Sequence, residues 1–529
     1  AQQITLNAVA SDLNTGNSGI SKIQIYVDGS VKQICTFSPI CTLATCTCAT
    51  TPQTYSTGTH TYYATVVDNA PTPNIGTYPL SGTTSFNVSI ISTSGLWVSA
   101  YLPSWELDPG IHVSGYGDGS LPKEDIDYSA FTHLIMFAAK VNSSGLNMSW
   151  GNLGHPYRRK YFNDYVHTNY GKPVILSLGG AGGSWSQFTD ATFRANAINT
   201  IVNAIETEQY DGVDLDIEDN TFLRNPAMKT LIIELYTKMH EPGRHAYYDT
   251  SKPLILTTAV LGSSNTNIVQ TAQYFDQINI MSYDQMGTWH GELWHNNAPY
   301  NIRNADGSCA TVDIAEGNGN TCMATIEGKI RSWVAAGVPK NKIGGGIDFN
   351  GWVWRNGVRK DGTKGVINPR EQWSVAPSVA SISSSCSFGS RDVESRYYDI
   401  MKCLIIPYPE YMKYDTISNV PYLAIDNAGS TGDIFITYQN AQTVRNAVEV
   451  IKREGVGGMI LWEIGGGYLG KNNFPTYFGQ RDELLQVVKQ AVFSTSQICT
   501  PNIIKSGTQC LVCNSQGTSY IQDNSKCST

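Results

Sequence analysis

Eight short apolar runs recur from Leu96 onward, separated by polar loops and, in several cases, by a helical stretch. They are Trp97–Leu102, His133–Ala138, Pro173–Leu178, Gly212–Ile217, Leu254–Val260, Gln277–Met281, Lys342–Ile347 and Gly458–Trp462. Continuous apolar runs of this length suit strands buried on both faces, as in a parallel sheet covered by helices. Helical periodicity lies between them at Ala191–Glu208, Met228–Met239, Ala324–Ala336 and Ala441–Arg453. Eight strand–helix repeats predict an α/β fold, a (β/α)8 TIM barrel over 95–493. A doubly wound open sheet is the alternative that the pattern leaves. The seventh and eighth runs are much further apart than any other neighbours. A subdomain inserted near 352–440 would absorb the excess, on a loop at the functional face.

Residues 1–94 have a different texture. Ile4–Ala10, Ile23–Val27, Tyr62–Val67 and Ser85–Ile90 read as short strands, several alternating with period two, with turns such as Asp28-Gly29 and Thr57-Gly58 between them. This predicts a small all-β, immunoglobulin-like sandwich, followed by a linker at Ser92-Thr-Ser-Gly95. The loop Asp12-Leu-Asn14 reads as a turn rather than a calcium site. Residues 494–529 are polar and carry four Cys, as a small disulfide-bonded appendage would.

The twelve Cys fall into three groups of four, an even count in each segment. That arrangement suits disulfides formed within each segment of a secreted, extracellular protein, with any targeting peptide removed. Proximity alone suggests Cys309–Cys322 and Cys386–Cys403. Zinc at Cys510-x-x-Cys513 is the rival reading. Asn87, Asn142 and Asn147 open glycosylation sequons. The net charge of −8, with no long basic run, argues against nucleic acid and acidic membrane surfaces as partners. No apolar stretch is long enough to span a bilayer.

The segment Asp211-Gly-Val-Asp214-Leu-Asp216-Ile-Glu218 carries the chemistry. In a strand Asp214, Asp216 and Glu218 share one face, and Val213, Leu215 and Ile217 the other. Three carboxyls in a row on a core-facing side repel one another and are expensive to desolvate. Proton sharing then raises at least one pKa, which is what a general acid near neutral pH needs. Glu218 lies furthest toward the strand's C-terminal end, where barrel active sites form. A divalent-metal site and a solvated acidic strand end are the alternatives. The odd offset of Asp211 from Asp214 assigns it to structure.

This Asp-x-x-Asp-x-Asp-x-Glu run on a fourth barrel strand resembles the signature of glycoside hydrolase family 18, the chitinases and their relatives. Ser177-Leu-Gly-Gly180, Met281-Ser-Tyr283-Asp284 and Trp462-Glu463 agree with the family in order, so the resemblance covers roughly 96–492. The insertion resembles the α+β insertion of the deep-cleft chitinases.

The resemblance implies a retaining hydrolase in which the substrate's N-acetyl oxygen replaces an enzymic nucleophile. Glu218 would be the general acid and base. Asp216 would hold the acetamido N–H and share a proton with Asp214, and Tyr283 would bind the acetamido carbonyl. Asp284 would contact sugar, while Tyr101 and Ser177 would support Asp214. Trp462 would lie under the reacting sugar, and Trp185 and Trp289 would stack leaving-group sugars. Met281 also enters the substrate site by position, although packing is its main expected role. Two positions depart from the family: Ile217 stands where many chitinases carry Trp, and Asn350 where a Tyr is common. The implied partner is chitin or chito-oligosaccharide, acted on by a monomer without metal or cofactor. An endo-β-N-acetylglucosaminidase and a catalytically inactive chitin-binding lectin are the competing readings.

Overall fold

In the computed structural model the described residues run from Gln3 to Gln522. The main breaks are 11–18, 55–57, 70–74, 79–83, 89–94, 109–120, 148–152, 286–290, 305–307, 310–321, 383–385, 390–393, 427–431, 475–478, 494–503 and 514–519. The Asp12–Asn14 loop, most of the 92–95 linker, Trp289 and Cys499 therefore lie outside the description, as do the side chains of Asn87, Asn142, Asn147, Cys510 and Cys513. The chain divides into two compact units, Ala1–Ser92 and Thr93–Thr529.

The second unit is built on a closed parallel barrel of eight strands: β1 (Trp97–Pro103), β2 (His133–Asn142), β3 (Val174–Gly179), β4 (Gly212–Asp216), β5 (Ile255–Val260), β6 (Gln277–Ile280), β7 (Ile343–Asp348) and β8 (Gly458–Trp462). Neighbours in sequence pair in order, and β8 closes on β1. Each of the eight apolar runs supplies one strand. The open-sheet alternative fails because closure leaves no parallel edge. β3, β4 and β6 are buried along their whole length, as helices on the outside and side chains in the lumen require.

Among the described residues one helix of the outer layer follows each of β2 to β8, two four-residue helices at Asn220–Leu223 and Tyr397–Ile400 apart: α1 (Pro156–Tyr170), α2 (Ala191–Glu208), α3 (Pro226–Met239), α4 (Thr266–Thr271), α5 (Ile326–Ala335), α6 (Ala441–Glu454) and α7 (Glu483–Phe493). The local rules are visible in α6. Asn440 caps it by accepting from Thr443 N at 2.9 Å, and Val444, Ala447, Val448 and Ile451 repeat at helical spacing on its buried side.

Between β7 and α6 the chain builds the insertion, an antiparallel sheet. Its order is Phe388–Gly389, Ser378–Ile382, Asn350–Arg355, Ile434–Thr437, Val420–Ile425, Met412–Asp415, with Ser395–Arg396 also pairing with Asn350–Arg355. Cys386 is bonded to Cys403, and Cys309 to Cys322, the two pairings that proximity suggested.

The first unit contains a five-stranded antiparallel sheet. Ser30–Cys41, Ile20–Val27, Gly58–Asp68 and Ile75–Tyr78 lie in that order, and Thr84–Val88 also pairs with Gly58–Asp68. Ile20, Ile23, Ile25 and Ala64 form its core with the half-bridges Cys46 and Cys48. Cys35 pairs with Cys48 and Cys41 with Cys46. The expected strand Ile4–Ala10 is split into two short pairs, Gln3–Ile4 with Gln53–Thr54 and Asn7–Ala10 with Cys46–Ala49.

Candidate active site

The parallel register sets three residues level across three strands: Ser177 on β3, Asp214 on β4 and Thr257 on β5. Side chains at paired positions of neighbouring strands share one face of the sheet, here the lumen. Asp214 is consequently fully buried and cradled by hydroxyls. Ser177 Oγ donates to Oδ2 at 3.0 Å, Thr257 Oγ1 to Oδ1 at 2.7 Å, and Tyr101 Oη, from β1, to Oδ2 at 2.9 Å. Burial raises its pKa, and the three donors work against that rise by favouring the carboxylate.

Asp216 lies one layer higher, opposite Gly179 and Ala259. Its Oδ1 is buried with no hydrogen-bond partner among the described residues. Burial, then the neighbouring charges of Glu218 and Asp214, hold its carboxyl well above the usual range. Gly179 (φ 116°) makes the approach possible, since a Cβ there would stand 2.1 Å from the Asp216 carbonyl oxygen.

Glu218, expected on the strand itself, lies two residues beyond the end of β4 and is half-buried. Burial and the charge of Asp284 push its pKa up to about 7. The carboxylate run therefore grades from a hydroxyl-bound carboxyl at the bottom to a titrating one at the mouth.

Tyr283 reaches the same layers from the loop after β6. It is 7% exposed, and its hydroxyl makes no hydrogen bond to a described residue. Gly346 on β7 leaves it room, because a Cβ there would stand 2.9 Å from the tyrosine ring. Asp284, with φ 53°, keeps an exposed surface although set deep among protein atoms. That setting raises its pKa against hydrogen bonds from Trp352 Nε1 (2.6 Å) and Glu394.

The sequence reading missed Glu394. It precedes the Ser395–Arg396 strand of the insertion, and its carboxyl donates to Asp284 while accepting the Trp462 indole N–H. Burial and the charge of Asp284 hold its pKa well above the usual range. No motif marks it. Its neighbours in sequence are undescribed or structural, and only the folding of the insertion brings it to the barrel.

Trp462, at the end of β8, is half-buried and meets Phe137 (4.8 Å, 82°) and Tyr101 (5.7 Å, 63°) edge-to-face. Asn350, the departure from the family pattern, is buried beside it. With its amide oxygen turned toward the indole, it lies 3.2 Å from Trp462 Nε1, so the one indole N–H is shared between Asn350 and Glu394. Trp105 is 53% exposed and packs edge-to-face on Phe137. Met281 packs against the apolar cluster of the lumen that holds Tyr101, Phe137 and Tyr283.

One expected platform is corrected. Trp185 is 1% exposed, stacked at 18° on Phe222 and packed against Phe188, so it offers no face to a sugar. Asp211 is structural, as its offset implied. It accepts from the backbone of Val174, Tyr247 and Tyr248 and pairs with His167 Nε2 at 2.7 Å.

Residues 100–467 match the family model for glycosyl hydrolases family 18. Chitinase A1 of Niallia circulans is 29% identical over 322 residues, which are 58% of this chain and 42% of that protein, so the chain spans less than half of this relative's length. Among solved structures, human YKL-39, described as a pseudo-chitinase that retains chitooligosaccharide binding, superposes with TM-score 0.56 at 19% identity, over 75% of this chain and all of that one. A class V chitinase from Nicotiana tobaccum does so with TM-score 0.53 at 22% identity, over 76% of this chain and 99% of the other. At these identities the two structures share the fold.

Proposed function

The chain belongs to glycosyl hydrolases family 18, and on that premise we propose that it is a chitinase, cleaving β-1,4-linked N-acetylglucosamine polymers with retention of configuration. Glu218 carries the reading: a half-buried carboxyl with a pKa of about 7 is protonated in a large fraction of molecules at neutral pH, as a general acid must be. Glu218 donates its proton to the leaving glycosidic oxygen. The substrate's acetamido oxygen attacks the anomeric carbon as that bond breaks, and a cyclic oxazolinium ion forms. Glu218, now a carboxylate, takes a proton from the water that opens the ring.

Asp216 offers Oδ1, without a hydrogen-bond partner among the described residues, as acceptor for the acetamido N–H; the proton it shares passes to Asp214, and the charge left on Asp216 stabilises the developing cation. Tyr283, whose hydroxyl makes no hydrogen bond to a described residue, donates to the acetamido carbonyl. Trp462 supplies an apolar face for the reacting sugar. Asp284 contacts sugar from the cleft floor, and Tyr101 and Ser177 hold Asp214 in place.

A binding protein without catalysis is the second reading, favoured by the likeness to YKL-39. The presence of Glu218 weighs against it. Mass spectrometry of products from a chitin hexamer and from a high-mannose glycoprotein separates the possibilities. Short N-acetylglucosamine oligomers support the chitinase, a released glycan supports an endo-β-N-acetylglucosaminidase, and binding without products supports the lectin.

Residues 1–94 fit an immunoglobulin-like sandwich acting as a spacer, since they contain no Trp to bind chitin flatly, and 494–529 fit a Cys-rich appendage. The disulfides favour a secreted protein, and no helix among the described residues is long and apolar enough to cross a membrane.

A further inference from the structure

Away from the carboxylates, a groove of about 520 Å3 opens between the insertion and α6, lined by Tyr300, Tyr414, Asn419, Gln442 and Asn446. Its volume falls in the range of about 300–1,000 Å3 typical of small-ligand sites. None of these residues contributes to the catalytic site. Tyr414 belongs to Met412–Asp415, the edge strand of the insertion sheet, separated from Asn350–Arg355 by two strands. Gln442 and Asn446 belong to the first two turns of α6.

The lining is uncharged: two phenol rings and three carboxamides. Rings offer flat apolar faces to the C–H side of a pyranose, and carboxamides both donate to and accept from hydroxyl and acetamido groups.

The groove is also held rigid before any ligand arrives. Gln442 Nε2 donates to Asn446 Oδ1 at 2.9 Å, and Asn446 hydrogen-bonds the Tyr414 hydroxyl. Asp415, next to Tyr414, is fixed by His295 Nε2 at 2.8 Å and by Arg370. The Arg453 guanidinium stands 5.6 Å from the Tyr300 ring centroid. Tyr414 nonetheless remains 41% exposed, so its ring is open to a ligand in the groove. Ordered polar groups around an open aromatic floor are what low-entropy recognition of a sugar requires.

We propose that this groove is a second, non-catalytic saccharide site that holds a stretch of the N-acetylglucosamine polymer while the barrel acts on it, a role that rests on the chitinase reading above.

The test uses the full chain carrying Glu218→Gln, so that a chitin hexamer binds without being cut. Calorimetric titration is expected to give two sites for this protein and one after the further change Tyr414→Ala. Partition onto colloidal chitin is expected to weaken about five- to tenfold with Tyr414→Ala and to persist with Tyr414→Trp, which keeps a ring. In the otherwise wild-type chain, Tyr414→Ala should leave the rate on the soluble hexamer unchanged. If Tyr414→Ala unfolds, Gln442→Ala replaces it, with the same result expected. One hexamer site in the parent, or unchanged partition in the variants, overturns the second site. If the wild-type chain cuts the hexamer in that case, the chitinase reading stands alone. If the hexamer is neither cut nor bound, both fall.

Discussion

Glu394, carried by the insertion, donates a hydrogen bond to Asp284, carried by the barrel. Asp284 in turn is the charge that helps raise Glu218 to about 7. The insertion is thereby linked to Glu218, the proposed acid, through two hydrogen-bonded carboxyls whose pKa values are both raised. Glu394→Gln preserves both the donor to Asp284 and the acceptor for the Trp462 indole, so kcat/KM on a chitin hexamer should stay within about threefold of wild type. Glu394→Ala removes both and should lower it about tenfold or more.

The raised pKa of Glu218 has a consequence for rate. If Glu218 is the general acid as proposed, its protonated form is the active one, and activity should decline as pH rises through about 7. Rate against pH, measured on the hexamer below saturation, checks this. A profile flat from pH 5 to 9 would assign the acid elsewhere.

It also has a consequence for stability. A carboxyl whose folded pKa lies above its unfolded value binds its proton more tightly when folded. Stability from that proton is complete below the unfolded value near 4.5 and is lost as pH rises through about 7. Glu218→Gln, which cannot ionise, should be more stable than wild type by about 1–3 kcal/mol at pH 8 and indistinguishable near pH 4. Denaturant titrations at the two pH values measure the difference.

Thr257 and Ser177 act on Asp214 through hydrogen bonds that favour its carboxylate. Replacing Thr257 by Val removes one donor at nearly constant volume and raises the Asp214 pKa further. The acid limb of the rate profile should move to higher pH, with kcat lowered about tenfold and KM little changed. A purely structural role would lower stability without moving that limb.

Trp185 and Trp462 should separate cleanly. Trp185→Phe leaves a partial cavity beside Phe222 and should lower stability by about 1–3 kcal/mol with KM unchanged. On its proposed place under the reacting sugar, Trp462→Ala should reduce kcat/KM on the hexamer by about tenfold or more. Thermal unfolding and steady-state kinetics on both variants decide it.

The barrel was legible because strands buried on both faces must be apolar throughout, and eight such runs leave few folds. The carboxylate run was legible because strand periodicity puts Asp214 and Asp216 on one face, although β4 ends at Asp216 and Glu218 lies two residues beyond it. Three features were not. The Trp185 side chain follows β3 at the cleft rim, where position does not reveal whether an indole turns outward or back onto Phe222. Thr257 is an ordinary β-branched strand residue until register sets it level with Asp214. Glu394 enters through long-range folding of the insertion, which leaves no local pattern. In the first unit the long strand Ser30–Cys41 went unread, its apolar residues Val31, Ile34 and Ile40 being largely exposed rather than facing a core.

The most direct measurement is time-resolved proton NMR of the nascent products from a chitin hexamer, for wild type and Glu218→Gln. Catalysis by Glu218 with the substrate's own acetamido nucleophile requires β-anomers first, from the wild type alone. Initial α-anomers, or equal release by Glu218→Gln, would contradict it.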